Sequence, residues 1–358
     1  MRRKIPAAIA LKKSLTWYCV FGAVEVIERV WRRAQKNYQR VFPGRIGVTA
    51  RGKSRALQRV ISDFGAEHSF AQASMRLQEH YGFTLHSSVV RAVTLATAQR
   101  ARVKLEAKYA GPYRTLPAIG AEQIVAEADG TMICTVKPGR RKGQPRPREW
   151  KEMRLVVAQP LGSCQSVFAA TFQSVDEVGK RWGHCARDAG WALQSGIHAV
   201  ADGAEWIRLQ GKQVFGEQHR PLCDFYHVSE YLAAAARHIC PGQQERWRNT
   251  QQKRLKRGAS DLVIAELHAH REPPNTPKEE AWVTNAHRYL FNRRDCLDYP
   301  AALALGLPIG SGLIESGHRH VLQARLKKAG TAWLSDHAED MAQLRVLRSN
   351  HHWPFLWN

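Results

Sequence analysis

The chain has 358 residues, 44% of them apolar, and carries 54 Lys and Arg against 31 Asp and Glu, giving a net charge of +23 and a pI near 10.1. That length suits two or three domains, and that apolar share excludes a disordered chain. The charge calls for a polyanionic partner, with nucleic acid first and an anionic membrane surface second; no run approaches 18 uncharged apolar residues, which excludes a spanning helix.

Charge concentrates at the start: residues 1–60 hold 15 Lys and Arg but only 2 Asp and Glu. Trp17, Tyr18, Phe21, Trp31 and Tyr38 interleave with these charges, so the segment reads as a phosphate-contacting basic arm rather than merely a solvated one. Lys12 and Lys13 interrupt the apolar run behind Arg2, Arg3 and Lys4. No secretory signal is therefore expected, and the expected location is cytoplasmic. Seven dispersed cysteines (19, 134, 164, 185, 223, 240 and 296), none in a CxxC pair, fit reduced thiols rather than a zinc site.

Residues 54–103 read as helical. Ser54 caps a helix bearing Leu57, Val60, Ile61 and Phe64 on one face, with Gly65 ending it. Ser69 caps a second, ending at Gly82, and a third begins near Ser87 after the turn Phe83-Thr84-Leu85. This is the outline of a helix-turn-helix, in which the third helix would offer Arg91, with Ser87 and Ser88, to a DNA major groove. A plain helical bundle fits the same pattern. The stretch Gly111 to Pro117 marks a domain boundary, so the chain divides into a basic helical DNA-binding domain over 1–110 and a catalytic domain over 121–350.

From residue 123 the period becomes that of strands. They are expected at 124–136, 149–158, 166–172, 196–201 and 221–227, with a helix capped by Ser174 or Asp176 between the third and fourth and a basic loop over 138–148. Three strands in hairpin succession, a helix and two more strands is the order of a ribonuclease-H-like mixed sheet in an α/β domain. Residues 228–305 read as a helical insertion. The glycine-rich turn 306–312 then leads into a helix, with Ser311 as N-cap and with Leu313, Ile314, Val321 and Leu322 facing inward.

Three acidic residues sit at element edges: Asp129 within the first strand of the sheet, Asp202 at the end of the fourth, and Glu315 on the helix after the glycine turn. Taken singly, the Asp-Gly pairs are ordinary turns and Glu315 an ordinary first-turn glutamate. Together, in this element order and in a basic chain, they suit phosphodiester chemistry. Two Mg²⁺ or Mn²⁺ ions held by carboxylates can activate an attacking oxygen and stabilise a leaving one. The 73 residues from Asp129 to Asp202 accommodate two strands and a helix. The 113 from Asp202 to Glu315 exceed a bare ribonuclease-H core and fit an insertion. Arg319 shares a helical face with Glu315, and Arg325 and Lys327 follow.

The segments Ala128-Asp129-Gly130-Thr131, Asp202 to Ile207, Asp224-Phe225-Tyr226-His227 and Gly310 to Ser316, with Arg325, Lys327, Gly330, Trp333 and Leu344-Arg345, resemble bacterial insertion-sequence transposases of the aspartate–aspartate–glutamate type. The likeness is to the ISKra group, related to Mutator-like transposases. Asp63 to Phe70 and Glu79 to Gly82 are similar to that family's N-terminal region. The resemblance implies that Asp129, Asp202 and Glu315 form a metal-binding catalytic triad, and that Asp224 and His227 form the supporting Cys-or-Asp, two residues, His motif. From the residues alone His227 has only a capping role after the fifth strand. It further implies cleavage and strand transfer of double-stranded DNA at element ends by a homo-oligomer associated with the nucleoid, with Arg319, Arg325 and Lys327 holding the backbone. Relatives can carry an upstream zinc-binding cysteine pair, whereas Cys19 stands alone, which implies a shortened N-terminus. A decayed or domesticated DNA-binding protein and another ribonuclease-H-like nuclease are the rival readings.

Overall fold

The structure, a computed structural model, describes residues 9–34, 37–40, 42, 45, 52–139 and 146–357. Arg2, Arg3, Lys4 and the centre of the basic loop at 140–145 lie outside the described residues. The chain forms two compact units, residues 1–101 with 353–358 and residues 102–352.

In the first unit the sequence expectation of an all-helical domain is corrected. Its first elements are antiparallel strands, β1 (Ile9–Cys19), β2 (Gly22–Ala34) and β3 (Asn37–Arg40), in the order β1-β2-β3. The cause is an alternation that the positive charge obscures. Leu15, Glu28 and Val30 are buried, while Ile27 and Arg29 are exposed, as befits a ribbon with one covered face. Three helices follow: α1 (Arg55–Glu67), α2 (Phe70–Tyr81) and α3 (Ser87–Tyr109), the last of which carries the chain past Ala101 into the second unit. Ser54 accepts from the amide of Leu57, and Ser69 makes a reciprocal capping box with Gln72. Gly82 ends α2 in the left-handed region. Gly65 does not end α1. A Cβ there would lie 2.0 Å from Thr94 Oγ1, so this glycine lets α1 and α3 approach closely. Leu57, Ile61, Ala73, Leu77 and Val90 form the helical core.

The second unit is mixed α/β. Its sheet runs β6-β5-β4-β7-β8, from β4 (Gln123–Val136), β5 (Arg148–Pro160), β6 (Val167–Thr171), β7 (Gly196–Ala201) and β8 (His219–Cys223). β4, β5 and β6 are antiparallel neighbours, whereas β4, β7 and β8 run parallel. The parallel crossovers are made by α4 (Val175–Asp188), capped by Ser174, and α5 (Glu205–Phe215). α4 packs on β5 and β6, with Trp182 fully buried and its indole N–H donating to the Val157 carbonyl at 3.2 Å.

Five helices then follow β8: α6 (Phe225–Ile239), α7 (Gln244–Lys256), α8 (Ser260–Ala269), α9 (Trp282–Phe291) and α10 (Tyr299–Ala304). They share a core that includes Leu232, Leu255, Leu267, Val283, Leu290 and Tyr299. The chain returns to the sheet through α11 (Gly312–Gly317), a π-helical segment (His318–Gln323) and the short α12 (Ala324–Leu326). A two-residue strand, β9 (Trp333–Leu334), pairs with β4 at Thr135 and Val136, and α13 (Ser335–Ser349) covers β6. Among the described residues, no helix is long and apolar enough to cross a membrane.

Candidate active site

Successive side chains of a strand alternate between its faces, so Glu127, Asp129 and Thr131 share one face of β4. All three meet the segment 312–327. Glu127 Oε2 accepts the Ile314 amide at 2.7 Å. Asp129 Oδ2 lies 3.2 Å from His318 Nε2, at ion-pair range but off the line of a hydrogen bond, which leaves both ring nitrogens of the buried His318 without one. Thr131 Oγ1 accepts from Lys327 Nζ at 3.0 Å. The stretch carrying Glu315, Arg319 and Lys327 is thus laid along the strand that carries Asp129.

Asp202 reaches the same region through sheet register. β7 pairs parallel with β4, Glu127 opposite Val200. The pairing ends there: Asp129 lies two residues further along β4, and Asp202 two residues further along the chain, just past the end of β7 at Ala201. Asp202 Oδ1 accepts the Ala204 amide at 2.8 Å, closing a turn in which Gly203 takes φ +79°. A Cβ on Gly203 would lie 2.2 Å from Arg293 Nε, so glycine is required for space as well as for backbone conformation. Asp129 Oδ1 accepts its neighbouring Gly130 amide at 2.7 Å. Asp129 and Asp202 are half-buried and Glu315 is exposed. All three are hard oxygen donors, of the kind Mg²⁺ or Mn²⁺ prefers. Among the described residues, no group of three or more His, Cys, Asp or Glu side chains is arranged to hold a metal ion.

Glu127 was not among the residues singled out from sequence. It is 1% exposed, and burial pushes its carboxyl up to about 8, opposed by the Ile314 amide and assisted by the charges of Asp224 and Glu315. The signal available in sequence was its spacing of two from Asp129 in an otherwise apolar strand.

Asp224 has a clear structural task. It caps α6, Oδ1 accepting the amides of Tyr226 at 2.6 Å and His227 at 3.0 Å. Its Oδ2 accepts the Ser311 amide at 2.7 Å and also the Ser311 hydroxyl. Ser311 therefore does not cap α11 as expected; its hydroxyl is turned to Asp224. The glycine-rich turn is held at two more points, by the Phe225 amide donating to the Ile309 carbonyl at 2.8 Å and by His198 Nε2 at 2.7 Å from the Pro308 carbonyl. Burial lowers the His198 pKa, so the neutral imidazole is the donor. His227 lies in the first turn of α6, where Asp224 and not His227 does the capping. Its ring packs edge-on to Tyr231 and Tyr289, with centroids 5.4 and 5.6 Å away.

The basic residues separate. Arg319 and Lys327 are exposed near the carboxylates, and Arg91 is exposed on α3 of the first unit. Arg325, expected on the DNA-facing surface, is 2% exposed, with its guanidinium 4.8 Å over the Trp333 ring. It supports the fold beneath β9. The inward expectation for Ile314, Val321 and Leu322 matches their burial, whereas Leu313 is only half-buried.

The model of an uncharacterised protein family, UPF0236, matches residues 192–352. That stretch contains Asp202, Asp224, His227 and Glu315, and it leaves out Asp129. No curated protein matches the chain.

Proposed function

We propose that this protein is a transposase of the insertion-sequence type, cleaving and joining DNA strands at Asp129, Asp202 and Glu315. The observation that carries the reading is the lacing of one face of β4 to residues 312–327: Glu127 to Ile314, Asp129 to His318 and Thr131 to Lys327. It brings the strand of the first carboxylate and the helix of the third together across 186 residues of sequence. The strand order and the helices between β8 and α11 support a ribonuclease-H-like domain with an insertion. The net charge of +23 supports a nucleic-acid substrate.

Asp129 and Asp202 would hold Mg²⁺ or Mn²⁺ from neighbouring strands, and Glu315 from the helix. When bound, the metal would activate the attacking oxygen and neutralise charge on the scissile phosphate. His318 lies beside the Asp129 carboxylate, with Nε2 3.2 Å from Oδ2. Arg319 and Lys327 offer cations to the phosphate backbone beside the site. Asp224 and Glu127 act on the reaction only through position, since both fix the entry to α11.

The test is cleavage and strand transfer of duplexes bearing the element's own ends, together with excision in cells. We expect Glu315→Gln to abolish cleavage while DNA affinity stays within about twofold. Retained cleavage in that variant would remove Glu315 from the site. Wild-type binding with no nicking in either metal would favour a DNA-binding protein that has lost catalysis, and cutting of RNA–DNA hybrids without joining would favour a different nuclease.

A further inference from the structure

The turn between β1 and β2 breaks the usual chemistry of hairpin turns. Cys19 pairs with Gly22, so the turn has two residues, Val20 and Phe21, where Asn, Asp and Gly are the favoured types. Gly22 closes it with φ +109°. Val20 has a structural reason to be there, since it packs against the helical core of Leu57, Ile61 and Leu77. Phe21 has no such cover: it is 95% exposed, the most exposed large apolar side chain among the described residues. The turn that carries it is held firmly. The Tyr18 amide donates to the Gly52 carbonyl at 2.9 Å and the Ser54 amide to the Tyr18 carbonyl at 2.8 Å, fixing the end of β1 to the start of α1.

Behind the tip the ribbon has one open face. Lys12 stands opposite Arg29 there, both exposed, and alternation sets the exposed Tyr18, Ile27 and Trp31 on the same side. The acidic residues of the first sixty are Glu25 and Glu28. Glu25 accepts from the Ser14 hydroxyl and Glu28 pairs with Arg40, so both are engaged within the ribbon, against 15 Lys and Arg in the same stretch. The Lys12–Arg29 pair lies seven residues behind Cys19 and Gly22, about 23 Å along the strands, or about seven base steps of a duplex. A protruding apolar ring, with cations set back along its ribbon, matches double-stranded DNA kinked from the minor groove: the ring parts one base step and the cations take phosphates. An anionic membrane fits less well. Insertion there draws on several apolar side chains, and Val20 is turned inward, which leaves a single ring at the tip.

We propose that the β1–β2 ribbon is a DNA-bending wedge, in which Phe21 enters between two base pairs from the minor groove while Lys12 and Arg29 hold the backbone behind it. The proposal rests on DNA as the partner and is independent of the chemistry at the carboxylates. Because the tip is fastened to α1, the ring is presented rigidly, so the deformation falls on the DNA and not on the ribbon.

The test uses the full chain with a chelator present, and duplexes of about 40 base pairs with a donor and an acceptor dye at their two ends, one of random sequence and one bearing the element's own end. Wild type should raise the energy transfer by an amount that corresponds to a bend of about 20–90°. Phe21→Ala should bind and leave the duplex straight, with an unchanged urea midpoint, and Phe21→Leu should keep part of the bend. The double variant Lys12→Ala, Arg29→Ala should lower the slope of log affinity against log salt by about 2. Bending by Phe21→Ala equal to that of wild type overturns the wedge, as does wild-type binding without a bend, which leaves the DNA reading standing. Absence of wild-type binding to either duplex overturns both. Phe21-dependent sedimentation with phosphatidylserine vesicles, without DNA bending, assigns the tip to a lipid surface and overturns the proposal. A lowered urea midpoint in Phe21→Ala, with the bend lost equally in Phe21→Leu, assigns the ring to folding and overturns it too.

Discussion

Glu127 offers a test of the carboxylate region that needs neither DNA nor catalysis. Its carboxyl is raised to about 8 by burial, from an ordinary value of 4.5. Below pH 4.5 the group is neutral in both folded and unfolded chains and carries no penalty. Between pH 4.5 and 8 the unfolded chain releases the proton while the folded chain keeps it, so stability falls as pH rises through this window. The loss accumulates to about 3 kcal/mol at pH 7 and about 5 kcal/mol above pH 8. Glutamine keeps the shape and a carbonyl oxygen for the Ile314 amide but cannot ionise. The stability of Glu127→Gln relative to wild type should therefore improve by about 3 kcal/mol on going from pH 4.5 to 7, and flatten above pH 8. Urea unfolding at four pH values, in the presence of a chelator, measures this. A difference between the two proteins that does not change with pH would refute the reasoning: it would mean that the α11 amides hold Glu127 ionised.

Two further outcomes follow from other buried groups. Asp224→Ala should destabilise the second unit by about 2–4 kcal/mol in urea, because it strands the amides of Tyr226, His227 and Ser311 together; and it should weaken cleavage more than DNA binding, while an unchanged urea midpoint would refute the clamp. His219 is held down to about 4, by burial first and by Arg220 and Arg208 second; stability should thus be intact above pH 6.5 and decline by about 3 kcal/mol as pH falls from 6.5 to 4, and in His219→Gln that part of the acid slope should be absent.

The parts of the fold legible in sequence were those set by local chemistry. Ser54, Ser69 and Ser174 cap helices because a hydroxyl answers an open amide at a fixed offset, and Gly82 closes α2 because glycine tolerates φ +71°. Strands 123–136 and 196–201 were legible from their apolar runs. What failed were judgements set by distant partners. Gly65 looked like a terminator and is a contact point for Thr94. Ser311 looked like a cap and is claimed by Asp224, 87 residues earlier in sequence. Arg325 looked like a surface cation and lies under Trp333. The N-terminal ribbon was hidden because consecutive cations, Lys12-Lys13 and Arg32-Arg33, interrupt the two-residue period of its strands, so the charge was noticed before the period. In the candidate site, Asp129, Asp202 and Glu315 stood out by type and setting, whereas Glu127 offered only its spacing of two from Asp129, and His318 carries no signal until β4 and residues 312–327 are seen side by side.

The fastening of residues 224 and 225 to residues 309 and 311 has a consequence for how this chain can vary. The helical stretch leaves the sheet at Asp224 and returns at Ser311, and both ends are bolted to each other by one carboxylate and one backbone hydrogen bond. Whatever lies between hangs from a closed doorway. A change of length within that stretch meets the doorway before it reaches α11, whereas α9 is also fastened to the Asp202 turn, by Tyr289 to the Asp202 carbonyl and by Arg293 to the Gly203 carbonyl, so the same stretch that is decoupled from Glu315 at its ends is coupled to Asp202 in its middle.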